Sequence, residues 1–438
     1  MALTNLTKPR ARWATFKLKA ANAISRSLYE KLCEQPVSIK SFGAKVDGTT
    51  DDTDAIRATI DFAHAMMNGN GKVFLTAGDI KYTSFYVPAT VELVGAGRKT
   101  RLYPTNESGT YGLSVAANAV ARDFFIYGDN SQGWGLQVSN NCQLKNVHIY
   151  NFKGDTTADD GIGLLLEGSW SSTFERVIVK QNRVDCVLGK DGTSLENNAN
   201  TFYSCGFEYS VDEGFLIRKA AQTTLVGCWF GHHGIDNNDQ GQAAFRCIDE
   251  KATVSLIGFY SEWTSIAVDM QGRTLELSNF RSSGNILIGK GKSFIQGGEL
   301  FGYGGKIIPS AGSTGYALVV NCTHDLGYDI APEAEDPEGR ISLLNMGGHA
   351  MSMRQGLNIY GGKNLELNGG SGIEVNNGAP LRTNGTGGIG SNGGKIWVGG
   401  EDLEVVDSSR GLILKAPNTQ RYRLQVDSSG NVTTTLVT

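Results

Sequence analysis

Short alternations of apolar and polar residues, each interrupted by a polar turn, recur through the middle of this chain. Seven of them align: LKNVHIYNF (144–152), FERVIVKQN (174–182), FYSCGFEYS (202–210), LVGCWFGHH (225–233), LIGFYSEWT (256–264), LELSNFRSS (275–283) and FIQGGELFG (294–302). Period-two alternation over so few residues predicts short strands with one buried face. The Asn or Gly inside many of the units predicts a turn from one strand to the next. The spacing drifts: Cys205 to Cys228 is 23 residues, Leu256 to Leu275 is 19, and Leu144 to Phe174 is 30. A constant strand unit on a drifting period marks a solenoid whose loops are free to grow. Stacking would bury a continuous row of Leu, Phe, Ile and Val. About eight coils at roughly 4.8 Å each would make a body about 40 Å long.

Upstream, residues 37–60 read VSIKSFGAKVDGTTDDTDAIRATI. Val37, Ile39 and Phe42 make a brief alternation that runs into Gly43 and a Lys-Val-Asp-Gly turn. Asp51, Asp52 and Thr53 offer side-chain acceptors and negative charge to the first N–H groups of a helix. Ile56, Ile60, Ala63 and Met67 then recur at helical spacing, until Asn68-Gly-Asn-Gly71 ends it. The open end of a parallel solenoid is an aggregation hazard, so this helix is expected to close the first coil. Residues 91–100 (VELVGAGRKT) look like a dinucleotide-binding glycine loop. Thr100 stands at the third glycine position, however, and no βαβ unit with a downstream acid follows, so the segment predicts a tight turn between coils.

The wording of residues 37–60 resembles the FGAxGDGxTDDTxAI signature that opens pectate-lyase-like parallel β-helix domains, common in phage tailspikes and capsule depolymerases. Val46 departs from it, standing where that pattern usually has Gly or a similar residue. The resemblance implies an all-β chain: a right-handed, single-stranded parallel β-helix with a short N-terminal helical leader and a C-terminal β-rich trimerisation region. Four zones follow. Residues 1–36 form the leader, where Ala20, Ile24, Leu28 and Leu32 make a helical stripe that Pro36 stops. In tail proteins such a segment attaches to the phage tail or baseplate; equally, it could be a helix packed on the body or a disordered arm. Residues 37–110 hold the cap and first coils, residues 111–309 the central β-helix with its glycan site, and residues 310–438 the C-terminal region. There, residues 410–437 predict two or three strands joined by Asn-Thr and Ser-Ser-Gly-Asn turns. They resemble the ends of phage fibres and spikes in which three chains intertwine, which implies a homotrimer.

Composition narrows the classes. The 438 residues include 57 Gly against 9 Pro without a collagen period, as a chain of many tight turns requires. With 40 basic and 44 acidic residues the net charge is −4, which fits neither nucleic acid nor an anionic membrane as partner. The basic first 30 residues lack the apolar core of a signal peptide, and no apolar stretch is long enough for membrane insertion. Seven cysteines lie scattered, none in a CxxC pair, and predict reduced, buried thiols in a protein folded in a cytoplasm. A phage protein assembled in its host's cytoplasm and carried on the virion has this character.

No G-x-S-x-G, H-E-x-x-H, P-loop or EF-hand spacing occurs, and Cys228 with His232 and His233 lacks a fourth metal ligand. No cofactor or metal is expected. Carboxylates and aromatics concentrate between residues 160 and 270. Glycoside hydrolysis needs two carboxyl groups, one protonated and one ionised, about 5.5 Å apart for retention or roughly 6.5–9.5 Å for inversion. Such separations span one to two coils of a solenoid. Glu208 and Glu262 are expected on outward-facing turns of aligned repeats and are candidates for the acid. Asp236 and Asp239, in the loop between them, are candidates for activating water, and Asp212 and Glu213 follow Glu208 closely. Each could equally be solvated surface. Trp170, Trp229, Tyr260 and Trp263 could stack on sugar rings or cover core edges. Arg218, Arg246 and His232 could bind acidic sugars or merely neutralise neighbouring carboxylates. Together with these candidate carboxylates, the resemblance implies a virion-borne endoglycosidase acting on bacterial capsule or O-antigen. A lyase acting on uronic acids and a non-catalytic adhesin remain the alternatives, and the site could also lie between chains of the trimer.

Overall fold

The computed structural model describes residues 15–16, 26–27, 35–66, 71–129, 131–154, 160–233, 242–302, 305–310, 314–325, 341–344, 412–415, 421–426 and 429–437. The repeating unit is a triplet of short strands, one for each face of a parallel β-helix. Thr173–Glu175, Ile178–Lys180 and Val184–Leu188 make one coil; Asn200–Tyr203, Gly206–Glu208 and Phe215–Ile217 make the next. Each strand pairs in parallel with its counterpart a coil later, Phe174 with Phe202, Val179 with Phe207 and Cys186 with Phe215. The third face is a sheet of ten strands, from Phe85–Val87 to Ile307–Pro309. The first and second faces merge early, where the eight-residue strands Val120–Tyr127 and Gln143–Tyr150 run through the corner.

The corner between the first and second faces explains the polar turn in each repeat. Asn146, Arg176, Ser204, Gly227, Gly258 and Asn279 all have positive φ there. Asn and Gly tolerate that conformation, which is why they mark the repeats. Asn146 also donates its amide to Asp123 on the coil before, at 2.8 Å, so the corners bond to each other along the axis.

Inward-facing residues form one apolar cluster reaching from Ile39 to Cys322. Phenylalanines stack coil on coil within it: Phe174 on Phe202 with ring centroids 4.3 Å apart, and Phe207 on Phe230 at 5.1 Å. Six cysteines, at 142, 186, 205, 228, 247 and 322, are buried free thiols in this body.

Two expected registers are corrected. Phe294, aligned with Leu275, lies opposite Glu276 and faces outward. Leu256 pairs with Leu277, 21 residues on, and Leu275 lies opposite Val254. A slip of two residues leaves the inward and outward alternation intact, so hydrophobicity alone could not detect it. The first face also runs on past residue 309, through Tyr316–Val320 to Ile341–Leu344.

The helix Thr53–Met66 buries Ile56, Ile60 and Ala63 in the core cluster and packs on strands 72–74 and 85–87 at the start of the coils. Asp51 accepts the Thr53 N–H at 2.9 Å, as a helix start requires. The Asp52 carboxylate instead turns back to the N–H groups of Lys45 and Val46, at 2.7 and 2.9 Å, fixing the preceding loop. Val46 has φ 57°, an uncommon conformation for a β-branched residue, which accounts for the usual preference for Gly there. Between coils, the Thr100 hydroxyl accepts from Ala96 N–H and donates to the Leu75 carbonyl, so the glycine loop is a turn.

In the leader, the described residues are Thr15–Phe16 and Arg26–Ser27, paired antiparallel. Residues 26–27 are therefore extended where the apolar stripe predicted a helical turn. An isolated short helix is marginal in water, and strand pairing satisfies the backbone instead. A second compact unit, residues 359–438, contains a three-stranded antiparallel sheet of Leu412–Lys415, Arg421–Val426 and Val432–Val437. Its Val426, Val432 and Leu436 side chains are exposed.

Candidate active site on the second face

Strands of the second face point every other side chain outward, in two columns that run along the axis. One column reads Phe125, His148, Ile178, Gly206, Trp229, Tyr260 and Arg281. The other reads Tyr127, Tyr150, Lys180, Glu208, Gly231 and Glu262. Glu208 and Glu262 thus share a column, two strands apart, with a glycine between them. Two strand spacings put their backbones about 9.6 Å apart. A Cβ on Gly231 would rest in ordinary contact with Glu262, 3.7 Å from its carbonyl oxygen and 3.8 Å from its Cγ, so no side chain stands between the two carboxylates in the column.

The neighbouring column orients both acids. Trp229 Nε1 donates to Glu208 Oε1 at 2.8 Å, and Tyr260 Oη donates to Glu262 Oε2 at 2.6 Å. This bond to a carboxylate raises the Tyr260 pKa, helped by burial. Gly206 seats the tryptophan: a Cβ there would strike the Trp229 ring at 2.3 Å. Lys180 Nζ lies 3.8 Å from Glu208 Oε2 and 5.5 Å from the centre of the Tyr150 ring.

At the edge of this face the chain turns the corner through Tyr209, His232 and Trp263, all with φ between 53° and 60°. Their rings stack, Tyr209 on His232 at 4.6 Å and His232 on Trp263 at 5.8 Å. Trp263 is 70% exposed and Tyr209 42%. The same corner holds Asn151 and Gln181 at φ 62°, so the conformation belongs to the coil; what sets these three residues apart is the stack of their rings, two of which face solvent. Beneath them His233 is buried and shares a 2.6 Å hydrogen bond with Ser210, and burial lowers its pKa to about 3.

Upstream on the same face, His148 Nδ1 and Tyr150 Oη share a 2.9 Å hydrogen bond. Burial and the nearby cations Arg98 and Lys180 lower the His148 pKa to about 4, so its imidazole is neutral at ordinary pH. Burial raises that of Tyr150 to about 12.

Other candidates lie apart from this constellation. Asp212 pairs with Arg183 at 3.1 Å. Arg246 lies on the third face, held between Glu213 at 2.5 Å and Asp269 at 3.1 Å. Arg218 follows the third-face strand Phe215–Ile217. Trp170 is 50% exposed, but it sits in a turn before the first face, with Nε1 bonded to the Glu196 carbonyl at 2.8 Å. Asp236 and Asp239 lie outside the described residues. Among the described residues no group of three His, Cys, Asp or Glu could hold a metal ion. Sequence reasoning missed Tyr209, Lys180, His148, Tyr150 and Gly231. The signal was present: the seventh position of five aligned repeats reads Tyr150, Lys180, Glu208, Gly231, Glu262.

No family model matches the chain. Its sequence is similar to the tail spike protein of Shigella phage Sf6, 25% identical over 218 residues, covering 46% of this chain and 34% of that one. It is also similar to alginate lyase 7 of Azotobacter vinelandii, 43% identical over 68 residues, 14% of this chain and 8% of that one. The chain thus spans about a third or less of these curated relatives. Among solved structures, the gp42 tailspike of Acinetobacter phage vb_AbaP_AS12 superposes with a TM-score of 0.55 at 13% identity, covering 90% of this chain and 76% of that one. The chain therefore has the parallel β-helix fold of phage tailspikes, and resembles the pectate-lyase-like proteins that share it.

Proposed function

We propose that this chain is a phage tailspike that cuts a bacterial surface polysaccharide by endoglycosidic hydrolysis on the second face. The observation that carries this is the pair Glu208 and Glu262, in one outward column and separated by Gly231. Their spacing, about two strands, is near the upper end of the roughly 6.5–9.5 Å that lets one carboxylate activate a water while the other protonates the leaving oxygen. Lys180 complements an ionised Glu208, which makes Glu208 the base. Glu262 is then the acid: with Oε2 occupied by Tyr260, its proton is carried on Oε1 and passes to the glycosidic oxygen as that bond breaks. Glu208 takes a proton from the water whose oxygen bonds to the anomeric carbon, and the configuration inverts. Asp236 and Asp239, in the loop that follows His233, are further candidates for handling that water. The rings of Tyr209 and Trp263 offer apolar surface to the C–H faces of sugars.

A second reading, elimination from a uronic acid, is favoured by one observation. Neutral His148 hydrogen-bonded to Tyr150, with Arg98 and Lys180 near, could abstract a proton beside a carboxylate that the cations neutralise. The similarity to an alginate lyase supports this alternative. Incubation with purified capsular polysaccharides separates the two: new reducing ends without ultraviolet absorbance mean hydrolysis, and reducing ends with the absorbance of an unsaturated uronate mean elimination. Binding without either signal would make the protein an adhesin. The exposed apolar residues of the C-terminal sheet support a homotrimer, and residues 1–36 are the segment that would attach it to the tail.

A further inference from the structure

Upstream of Lys180 the carboxylate column continues as tyrosines. Tyr103, Tyr127 and Tyr150 stack along the axis, with centroids 5.5 and 5.2 Å apart and planes within 18° of parallel. Their faces are occupied by one another, so the ladder presents ring edges and hydroxyl groups outward. The hydroxyls of Tyr103 and Tyr127 have no hydrogen-bond partner among the described residues, and both side chains are only partly buried. A row of phenols at this pitch is close to the length of one pyranose unit in an extended chain. Beyond Tyr103 the column opens into a cleft of about 330 Å³, lined by Lys81, Tyr103, Thr105, Asp47, Thr49 and Asp79. Below Tyr150 it runs without a break through Lys180 to Glu208.

Charge indicates what such a track would hold. Arg98 is exposed, meets no acceptor among the described residues, and lies near enough to Tyr127, His148 and Tyr150 to affect their ionisation. Lys180 borders His148 and Tyr150 from the other end. The acids at this end are engaged, Asp79 with Arg101, Asp129 with Asn151 and Asp47 with Thr49 and Thr50, and among the described residues Arg98 and, in the cleft, Lys81 stand open to a ligand.

We propose that Tyr103, Tyr127 and Tyr150, with Arg98 and Lys180, form a binding track for an acidic polysaccharide laid along the solenoid axis and leading into the Glu208–Glu262 gap. The tyrosine hydroxyls bond successive sugars, and Arg98 pairs with a sugar carboxylate. The proposal rests on the second face being the saccharide site, but it concerns binding and not bond cleavage.

The test is electrophoresis of the full chain through native gels containing alginate, polygalacturonate, hyaluronan or neutral dextran. Retardation by at least one acidic polymer and none by dextran is expected. Tyr103→Phe and Tyr127→Phe keep the stacked rings and remove only the hydroxyls, and each should weaken binding about fivefold. Arg98→Ala should do at least as much, with the loss growing less at high salt. Retardation that is absent in all three acidic polymers, or that persists unchanged in these variants, overturns the track. If Glu208→Gln stops cutting yet is retarded normally, the two claims hold separately. Unimpaired cutting by Glu208→Gln would sink the catalytic reading and leave the track standing.

Discussion

The second and third faces share one backbone register, yet their outer surfaces are built for different ends. On the third face, outward residues Trp134, Leu165, Val187 and Leu216 are themselves buried in a satellite apolar cluster. Its charges are locked in place, with Arg246 clamped by Glu213 and Asp269. On the second face the corresponding positions carry Tyr150, Lys180, Glu208 and Glu262, partly exposed and bonded to tryptophan, tyrosine or a distant lysine. The stacked coils supply the stability from inside. An outer column is therefore free to carry chemistry wherever no loop covers it.

Four substitutions probe this contrast. Gly231→Leu fills the space between the carboxylates and should cut kcat/KM about a hundredfold by displacing the reacting sugar. A Cβ there meets only Glu262, at ordinary contact distance, so the melting temperature should change little, and normal activity would show that the gap is not the site. On the third face, Glu213→Gln breaks a partly buried ion pair and should cost about 1–2 kcal/mol in denaturant unfolding, while activity per folded molecule stays intact. A loss of activity without a loss of stability would reverse the roles assigned to the two faces.

His233 gives a smaller effect, visible through pH. Its folded pKa of about 3 lies below the unfolded 6.5, so the unfolded chain binds more protons between those values. Its contribution is fully present above pH 6.5 and is lost as pH falls toward 3. His233→Gln should flatten the dependence of melting temperature on pH in that window; a slope equal to wild type would contradict the assignment. Least of all, Val46→Gly should change stability by under about 1 kcal/mol, since relief of the positive φ offsets the greater chain entropy of glycine. A fall of several kcal/mol would mean that Val46 contributes more packing than strain.

Much of the fold was legible because solenoid packing writes itself into the sequence. Phe174, Phe202, Leu225 and Leu256 occupy one inward column, and their units align by eye. The shift at Leu275 was invisible because a two-residue slip conserves alternation. Third-face strands such as Ile162–Leu166, apolar on both sides, carry no alternation at all. The site was half legible. Glu208 and Glu262 stood out as acids beside aromatics, but the significance of Gly231 lies in an absent side chain. The stack of Tyr209 on His232 and Trp263 depends on corner geometry that residue types alone do not disclose. The ion pairs of Arg246 were unreadable for the same reason, since its partners Glu213 and Asp269 come from neighbouring coils.

The most direct measurement compares Glu208→Gln, Glu262→Gln and Glu213→Gln with the unaltered chain, following new reducing ends on the capsular polysaccharide that the unaltered chain cuts. Glu208→Gln and Glu262→Gln should each fall about a hundredfold to ten-thousandfold, with unchanged melting temperatures, while Glu213→Gln cuts normally. Full activity in both second-face variants would contradict the account.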